Sequence, residues 1–242
     1  MISVCIASYN GEKFIGQQLN SILSQIGPGD EVVITDDDSG DQTELVVQDF
    51  KDSRIRFFAN SGRLGHVKNF ERALNLSRGE LIFLSDQDDV WAEGRVQKMI
   101  DNMRQHGNAL LLASNFDLID EKGREIGLFR KLGAVRNHRW LQVFDIFVGR
   151  APYYGCTFLI DRRLLKYCLP VPNWIESHDI WMALVASLRG SVANMQESTL
   201  LHRLHDNNIT VTKRRSLWKI LKSRIEFLLA LLIRLNQILK SE

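Results

Sequence analysis

The chain has 242 residues, of which 45% are hydrophobic and 25% are charged, and its formal net charge is +2. These values are those of an ordinary globular protein that can bury a substantial core. Because basic and acidic residues nearly balance, the overall charge does not indicate a nucleic-acid-binding protein. Any basic surface for a partner has to be local.

The cysteines and the first residues indicate a cellular compartment. Cys5, Cys156 and Cys168 are odd in number and show no metal-ligand spacing, so we interpret them as buried thiols in a reducing cytoplasm. The chain start lacks the basic and long apolar regions of a signal peptide, and no apolar run approaches the roughly 18 residues of a membrane span. We expect a cytoplasmic protein, or one bound peripherally to the inner face of the cytoplasmic membrane.

Short apolar runs alternate with amphipathic segments along the first half of the chain. Strands are predicted at residues 2–8, 31–35, 54–58, 81–85 and 109–113. Helices are predicted between them, at residues 12–25, 43–50, 67–76 and 96–103. This alternation predicts an α/β fold, a mostly parallel sheet flanked by helices.

The alternation stops after about residue 118. Residues 128–137 form an irregular basic stretch, 154–161 predict one more strand, and 178–188 predict a helix. Two short extended segments are predicted at residues 192–195 and 199–204. The second half of the chain is therefore organised differently from the first.

Polar and acidic residues follow three of the predicted strands. They are Ser8-Tyr9-Asn10, Asp36-Asp37-Asp38 and Asp86-Gln87-Asp88-Asp89. Parallel sheets bind ligands in a crevice outside the carboxyl ends of their strands. We expect these three segments to meet at one edge of the sheet and to form a ligand site there.

The turn at residues 86–89 carries three carboxylates within four positions. A lone carboxylate at a strand end is usually a turn residue or a helix cap, but three raise each other's pKa unless a cation neutralises them. Counted from Asp86, the positions where a calcium loop needs Gly and Glu hold Trp91 and Gln97, and no Walker-type loop is present. Oxygen ligands suit Mg²⁺ or Mn²⁺ bridging to substrate phosphates, so the turn is either a metal–diphosphate site or a structural turn.

Several segments resemble, in chain order over residues 2–210, the motifs of family-two glycosyltransferases with the A-type fold. The resemblance is greatest to bacterial rhamnosyltransferase-like enzymes of rhamnan and O-antigen synthesis. The matching segments are Ser8-Tyr9-Asn10-Gly11, residues 36–43, Val67-Lys68-Asn69-Phe70, residues 85–91, Gly155-Cys156-Thr157, residues 177–181 and residues 203–208. On this resemblance residues 1–212 form the glycosyltransferase domain, with a nucleotide-sugar-binding half at 1–117 and an acceptor-binding half at 118–212.

The resemblance implies inverting transfer from a nucleoside diphosphate sugar to a hydroxyl of a glycan or lipid-linked acceptor in cell-surface polysaccharide synthesis. The first expected donor is dTDP-rhamnose, and otherwise a UDP-sugar. The chain lacks the Gln-x-x-Arg-Trp motif of processive synthases, which favours transfer of a single sugar. Two positions depart from the family pattern, Asp38 where Gly is common and Gly40 where Thr is frequent.

The resemblance also implies a role for each matching residue. The expected nucleotide-sugar contacts are Ser8, Tyr9, Asp37, Lys68, Asp86, Gln87 and Arg203. Within that set Tyr9 would flank the base, Asp37 would accept from the base imide, and Asp86 would lie near the ribose. Mn²⁺ or Mg²⁺ would be held by Asp88 and His205, with Asp179 as the general base and Trp91 and His178 as acceptor contacts.

Several of these residues have structural interpretations that stay open at this stage. Asp179 could serve only as a helix N-cap, and Trp91 could pack beneath the acidic turn. Arg203 is equally compatible with a surface salt bridge, and His178 with a hydrogen bond in a local turn. Two other functions also remain, a sugar-phosphate nucleotidyltransferase and a non-catalytic nucleotide-sugar binding module.

Residues 213–242 predict a basic amphipathic helical tail. Six positive charges precede its first acid, and apolar residues recur at steps of three and four. These apolar residues are Leu221, Ile225, Leu228, Leu232, Leu235 and Leu239. Such a helix could lie on an anionic membrane, pair with a second copy, or fold back onto the core.

Overall fold

The computed structural model describes residues 1–127, 131–205 and 216–239. Its strands are β1 (Ile2–Ser8), β2 (Glu31–Asp36), β3 (Ile55–Ala59), β4 (Leu81–Asp86), β5 (Val90–Trp91), β6 (Leu111–Ile119), β7 (Phe158–Asp161) and β8 (Val192–Arg203). Its helices are α1 (Ile15–Leu23), α2 (Thr43–Gln48), α3 (His66–Leu76), α4 (Arg95–Gln105), α5 (Arg139–Phe147), α6 (Leu165–Cys168), α7 (His178–Leu188) and α8 (Leu217–Leu239).

The strands form one sheet in the order β3-β2-β1-β4-β7-β6-β8-β5. The first four strands in that order pair in parallel, β7 pairs antiparallel with β4 and with β6, and β6 pairs in parallel with β8. The short β5 closes the order, antiparallel to β8. The predicted α/β fold with a mostly parallel sheet is confirmed.

The middle of the sheet explains why the strand ends meet. Val4, Cys5 and Ile6 of β1 are fully buried because helices cover both faces of a parallel sheet. The register pairs Ser8 with Asp36, and Ala7 with Asp86. The carboxyl ends of β1, β2 and β4 therefore lie side by side, as the sequence pattern predicted.

The structure differs from the prediction in three respects, mostly in the second half of the chain. The two predicted extended segments form one strand, β8, whose register shifts near Asn115 on β6. The predicted strand at 154–161 begins with a 3₁₀ turn, Gly155–Thr157, before β7. The short elements β5, α5 and α6 were not predicted, because they have two, nine and four residues and are set by tertiary packing. The basic stretch at 128–137 is described only from residue 131 onward.

The predicted tail helix is present as α8, which packs on α6 and α7. The face that packs carries Phe227, Ala230 and Leu231, which are 2%, 1% and 6% exposed. Of the residues that defined the predicted apolar face, Leu221 and Leu228 are about half exposed, whereas Leu235 is partly buried and packs against the core. The tail therefore folds back onto the core, mainly through residues that were not part of the predicted apolar face. The first part of the predicted tail, 213–215, lies outside the described residues.

Among the helices that the structure describes, none combines the length and the apolar character needed to cross a bilayer.

Candidate functional site

The end of β1 is fixed to the acidic turn by a two-point hydrogen bond. The side-chain amide of Gln87 donates to the Tyr9 carbonyl oxygen at 2.9 Å and accepts from the Tyr9 N–H at 2.8 Å. A Cβ at Gly11 would stand 2.3 Å from Gln87 Oε1, so a residue with a side chain does not fit there. Gln87 therefore holds two strand ends together in addition to lying at the predicted donor site.

Tyr9 presents an aromatic face at the mouth of the crevice. Its ring is 36% exposed, and the Arg63 guanidinium carbon lies 3.5 Å from the ring centroid. An exposed aromatic ring beside a cation suits stacking against a nucleotide base and attraction of its phosphates. The flanking of a base by Tyr9 stays a prediction.

Asp37 anchors the loop before α3. Its Oδ1 accepts from the Leu64 N–H at 2.6 Å and from Asn60 Nδ2 at 3.0 Å, and its Oδ2 accepts from the Gly65 N–H at 3.0 Å. Arg63 Nε also lies 3.7 Å from Asp37 Oδ2, so the loop and the Arg63 side chain together surround this carboxylate. Asp37 is 2% exposed, and it shapes the wall of the predicted base pocket.

The neighbouring Asp36 and Ser8 lie beneath the pocket. The Ser8 hydroxyl donates to Asp36 Oδ1 at 2.7 Å, and the other carboxylate oxygen of Asp36 accepts from the Ser39 N–H at 2.9 Å. Ser8 is 1% exposed, so its hydroxyl is not available to a ligand in this structure. This corrects the predicted direct contact of Ser8, which instead orients the strand end.

Asp88 and His205 are brought together by β8 and the residue pair that follows it. His205 Nε2 lies 2.7 Å from Asp88 Oδ2, and the His205 ring packs against Phe14 with centroids 5.0 Å apart. These are the two residues that the sequence predicted as metal ligands, 117 positions apart in the chain. The structure places both at the same end of the acidic turn.

Arg203 is a buried clamp on the acidic turn. Its guanidinium donates to the carbonyl oxygens of Asp88 (2.8 Å), Asp120 (3.0 Å) and Glu121 (3.2 Å), and to Gln17 Oε1 (2.7 Å). The residue is 1% exposed, so it is neither a surface salt bridge nor an accessible cation for a diphosphate. This corrects its predicted role as a donor contact.

A second acid–histidine pair, Asp89 and His202, lies deeper under the turn. His202 Nδ1 lies 2.8 Å from Asp89 Oδ1, which also accepts from the Arg203 N–H at 3.1 Å. Although burial lowers it, the neighbouring Asp89 carboxylate raises the pKa of His202 to about 9, so the imidazole is protonated at neutral pH. Asp89 is fully buried, so this pair supports the turn from within the protein.

The pKa of Asp86 is raised by burial and by the neighbouring carboxylates. Desolvation by the surrounding protein, followed by the like charges of Asp89 and Asp88, raises the pKa of Asp86 to about 8. The charge of Asp179 raises it further, which places that carboxylate near the acidic turn although the two are far apart in sequence. A bound cation would relieve this repulsion and restore the ionised carboxylate.

Two sets of donor atoms therefore lie at the turn. Single atoms of Asp86, Asp89, Cys156 and His202 all lie within 4.8 Å of one another. In that deeper set His202 is protonated, and burial raises the pKa of the Cys156 thiol well above its usual value, so neither offers a free ligand atom. Nearer the surface, Asp88 Oδ2 lies 2.7 Å from His205 Nε2, and carboxylate oxygens such as that of Asp88 are ligands that suit Mg²⁺ or Mn²⁺.

Asp179 lies in the first turn of α7, facing the acidic turn. Asp179 Oδ1 accepts hydrogen bonds from the Ile180 N–H at 2.8 Å and from the Ser177 hydroxyl. The N-cap of the helix is Ser177, and its hydroxyl oxygen accepts from the Ile180 N–H at 3.3 Å. Across the described chain, no hydrogen bond reaches Asp179 Oδ2. The capping role therefore belongs to Ser177, and one oxygen of Asp179 is available to a ligand.

Gly155 and Tyr154 form the wall beside Asp179. A Cβ at Gly155 would lie 2.8 Å from His178 Nε2 and 3.6 Å from Asp179 Cβ, so glycine lets α7 approach β7 closely. Burial, and then the charge of Asp179, raise the pKa of Tyr154 to about 12. The Tyr154 hydroxyl keeps its proton at neutral pH and can donate a hydrogen bond near the general-base position.

Three further predicted contacts are corrected by burial or by existing bonds. Lys68 Nζ donates to Glu71 at 2.8 Å and to the Val171 carbonyl oxygen at 2.7 Å, which ties α3 to the loop before α7. Trp91 is 3% exposed and packs beneath the acidic turn against Phe83, with ring centroids 5.1 Å apart. Both side chains therefore stabilise the elements around the site and do not face a ligand.

His178 is also buried, at 6% exposure, and its ring stacks on Phe70 with centroids 4.4 Å apart. Neither ring nitrogen has a hydrogen-bond partner among the residues that the structure describes. Burial lowers the pKa of His178 to about 4, so the ring is neutral. It packs behind Asp179, which corrects both its predicted acceptor contact and the alternative of a hydrogen bond in the turn.

His202 and Tyr154 are parts of this site that were not predicted from the sequence. His202 lies three positions before His205, and that spacing at the end of a predicted strand was the available signal. Tyr154 gives no local signal, because only the packing of α7 brings it to Asp179.

Comparisons with known proteins agree with this geometry. Residues 3–166 match the model of the family described as "Glycosyl transferase family 2". The chain is 27% identical over 231 residues to the Escherichia coli "UDP-Glc:alpha-D-GlcNAc-diphosphoundecaprenol beta-1,3-glucosyltransferase WfgD", covering 93% of this chain and 87% of that protein. It is 29% identical over 218 residues to the Shigella flexneri "dTDP-rhamnosyl transferase RfbG", covering 84% and 72%.

A solved structure, S. aureus TarS 1-349 in complex with UDP-GlcNAc, shares the fold with a TM-score of 0.75 at 19% identity. The match covers 96% of this chain and 66% of the TarS chain, so this chain spans slightly less than two thirds of that structure.

Proposed function

Because this chain belongs to glycosyl transferase family 2, and is a glycosyltransferase of glycan synthesis, we propose that it transfers a single sugar with inversion to an acceptor hydroxyl. The observation that carries this proposal is the position of Asp179 beside the acidic turn. A Cβ at Gly155 would lie 3.6 Å from Asp179 Cβ, and the 3₁₀ turn that holds Gly155 packs against β4, which ends at Asp86. An inverting displacement needs a base on one side of the anomeric carbon and stabilisation of a leaving diphosphate on the other. Asp179 would serve as the base, and the carboxylates of the acidic turn, with a bound cation, would stabilise the leaving diphosphate.

The proposed donor is a nucleoside diphosphate sugar with a pyrimidine base, first dTDP-rhamnose and otherwise a UDP-sugar. RfbG is named for dTDP-rhamnose, WfgD for UDP-glucose, and TarS was crystallised with UDP-GlcNAc. Tyr9 and Arg63 supply a stacking surface for the base, and Asp37 would accept from its imide. Asp86 and Gln87 at the carboxyl end of the sheet are positioned for the ribose and the diphosphate.

The proposed chemistry is direct displacement. The acceptor oxygen forms a bond to the anomeric carbon while the bond from that carbon to the diphosphate oxygen breaks. Asp179 Oδ2 takes the hydroxyl proton, and the hydrogen bonds to its Oδ1 hold the carboxylate in place. General-base assistance of this kind contributes roughly 10²–10⁴ in rate.

Asp88 and His205 would hold the divalent ion, Mn²⁺ or Mg²⁺, with Asp86 beside them. When bound there, such an ion supplies positive charge that stabilises the developing charge of the diphosphate. The buried Asp89–His202 pair and the Arg203 clamp keep the backbone of the turn fixed, so Asp86 and Asp88 do not reorganise as the charge develops.

The proposed acceptor is a glycan or a lipid-linked sugar in cell-surface polysaccharide synthesis, and the enzyme is proposed to work at the inner face of the cytoplasmic membrane. WfgD, which covers most of this chain, is named for a diphosphoundecaprenol-linked acceptor. An acceptor of that kind is confined to a membrane surface, so an enzyme that docks there meets it at high local concentration.

A thermal-shift screen of nucleoside diphosphate sugars, with and without Mn²⁺, tests the donor and metal proposals together. A ligand that binds only the native state raises its apparent stability by RT ln(1 + [L]/Kd). We expect the cognate donor to raise Tm only when Mn²⁺ is present, and the same donor to have no effect on the Asp88→Asn variant. A donor-independent profile in wild type would contradict the proposal.

A further inference from the structure

Helix α8 exposes an apolar face beside the face that packs on the core. Leu221, Ile225, Leu228 and Leu232 lie along that outer face, and they are 51%, 50%, 48% and 57% exposed. Trp218, near the helix start, is 75% exposed. A surface helix ordinarily directs its polar residues outward, so this face is built to contact something apolar.

Helix α5 exposes a similar face. Trp140, Leu141, Phe144 and the following Val148 are each between 45% and 51% exposed, while Ile146 on the opposite side is fully buried. This second apolar surface was not predicted from the sequence, because α5 itself was not predicted.

The two helices are neighbours. Both pack on α7, and the Arg224 guanidinium carbon of α8 lies 5.7 Å from the ring centroid of Phe147 in α5. A Cβ at Gly149, just beyond α5, would stand 3.5 Å from Arg224 Nη2. We call the exposed apolar residues of α5 and α8, from Trp140 to Val148 and from Trp218 to Ile233, the two-helix surface.

Basic residues surround the two-helix surface. Residues 136–150 and 216–229 together hold six Lys or Arg residues and two acids. Both acids have basic partners, Asp145 with Arg136 at 3.3 Å and Glu226 with Lys222 at 3.7 Å. Lys219 and Arg139 therefore add net positive charge beside exposed tryptophans.

The cleft at the start of α5 adds to this charge. It has a volume of about 600 Å³ and is lined by Arg136, His138, Arg139 and Trp140 among others. A cleft of that size with two guanidinium groups accommodates an anionic headgroup, while the adjoining apolar face accommodates acyl chains.

We propose that the two-helix surface docks the protein onto an anionic phospholipid bilayer, with α8 and α5 lying in the interface and their basic residues against the headgroups. Charge complementarity favours this occupant over a second copy of the chain, since a two-fold contact would bring the same basic patch against itself. Tryptophan beside exposed leucine, with Lys and Arg at the edge, is the composition of interfacial helices. The inference extends the proposed lipid-linked acceptor, but lipid binding needs neither donor nor acceptor.

Flotation of the full chain with vesicles tests this proposal. We expect binding to vesicles of phosphatidylcholine with phosphatidylglycerol, and much weaker binding to phosphatidylcholine alone or at high salt. The triple variant Leu221→Ser/Leu228→Ser/Phe144→Ser is expected to lose at least about tenfold in binding. Lys219→Gln/Lys222→Gln is expected to lose about fivefold per residue.

Leu45→Ser, which removes a leucine that is 59% exposed on α2, is the matched control and should float like wild type. Far-ultraviolet circular dichroism checks that every variant is folded. The proposal is overturned if wild type fails to float, if the triple variant floats equally well, or if neutral vesicles bind as tightly. A different outcome would also overturn it: light scattering shows that wild type is a dimer and the triple variant a monomer, and neither protein floats with vesicles. Loss of sugar transfer with intact flotation would contradict only the proposed function.

Discussion

His205 Nε2 lies 2.7 Å from Asp88 Oδ2, which joins the end of β8 to the acidic turn across 117 positions of the chain. Arg203, two residues before His205, fixes the same turn from below through the Asp88 carbonyl oxygen at 2.8 Å. Arg203 is the last residue of β8 and His205 lies two residues beyond it, so the end of this strand contacts the acidic turn through both side chains. This arrangement positions a carboxylate and an imidazole as neighbours at the edge where the donor diphosphate is proposed to bind.

The first prediction concerns these two residues as metal ligands. Asp88→Asn and His205→Gln should each weaken Mn²⁺ binding by at least about tenfold, because each removes a donor atom or its partner. Isothermal titration calorimetry measures this directly. The double variant should lose less than the product of the single losses, since the two side chains contact each other.

Asp101→Asn, on the outer side of α4, provides the control for charge removal and should bind Mn²⁺ like wild type. Independent, fully multiplicative losses in the double variant would contradict a shared site.

The second prediction separates chemistry from capping in the first turn of α7. Asp179→Asn should lower kcat by about 10²–10⁴ with little change in donor affinity, since an amide cannot take the acceptor proton. Ser177→Ala should lower the free energy of unfolding by about 1 kcal/mol because Ser177 is the N-cap, and it should lower kcat far less than Asp179→Asn, since the carboxylate remains and keeps its bond from the Ile180 N–H. Steady-state kinetics and urea unfolding distinguish the two effects. Asp179→Asn with activity within a few-fold of wild type would remove Asp179 from the mechanism.

The third prediction concerns the contact between Gly11 and Gln87. Gly11→Ala should destabilise the fold by about 1–3 kcal/mol and raise KM for the donor, since its Cβ would stand 2.3 Å from Gln87 Oε1. In a Gln87→Ala background the same change should cost much less. A double-mutant cycle measured by urea unfolding gives the interaction, and equal costs in both backgrounds would show that the clash is not what excludes alanine.

The fourth prediction is a pH dependence of stability in the metal-free protein. The folded-state pKa of His202 is raised to about 9, above its ordinary 6.5, so its contribution is complete below pH 6.5 and disappears as the pH rises through 9. Asp86, with its pKa raised to about 8, adds a loss of stability with rising pH between about 4 and 8. The free energy of unfolding should therefore fall between pH 6.5 and 9, by up to about 3 kcal/mol from His202.

His202→Gln should flatten this decline above pH 8, where Asp86 is already ionised. Urea unfolding at several pH values in the presence of a chelator provides the measurement. A wild-type profile that rises over the same interval would show that the Asp89–His202 pair is not an ion pair in the folded state.

The sequence predicted those parts of the site that depend on local pattern. The ends of β1, β2 and β4 carry polar residues directly after apolar strands, and a parallel sheet necessarily brings such ends to one edge, so Tyr9, Asp37 and Asp86 were placed together correctly. Asp88 and His205 were paired through the family resemblance, and the structure places them in contact.

What the sequence could not predict depends on tertiary packing. The alternation along β8 does not reveal that Arg203 is buried, because its partners are backbone oxygens of remote turns. Trp91 and His178 are chemically suited to an acceptor groove, and only their packing against Phe83 and Phe70 shows that they lie behind it. In α8 both faces are apolar, so the pattern alone could not decide which one contacts the core.

The most direct test of the account is mass spectrometry of the product formed from a lipid-linked sugar acceptor, a nucleoside diphosphate sugar and Mn²⁺. We predict that wild type adds one sugar to the acceptor, that the product stops at one addition, and that Asp179→Asn forms almost none while still binding the donor. Release of pyrophosphate from a sugar phosphate and a nucleoside triphosphate, with no transfer to any acceptor, would contradict the account and favour a nucleotidyltransferase.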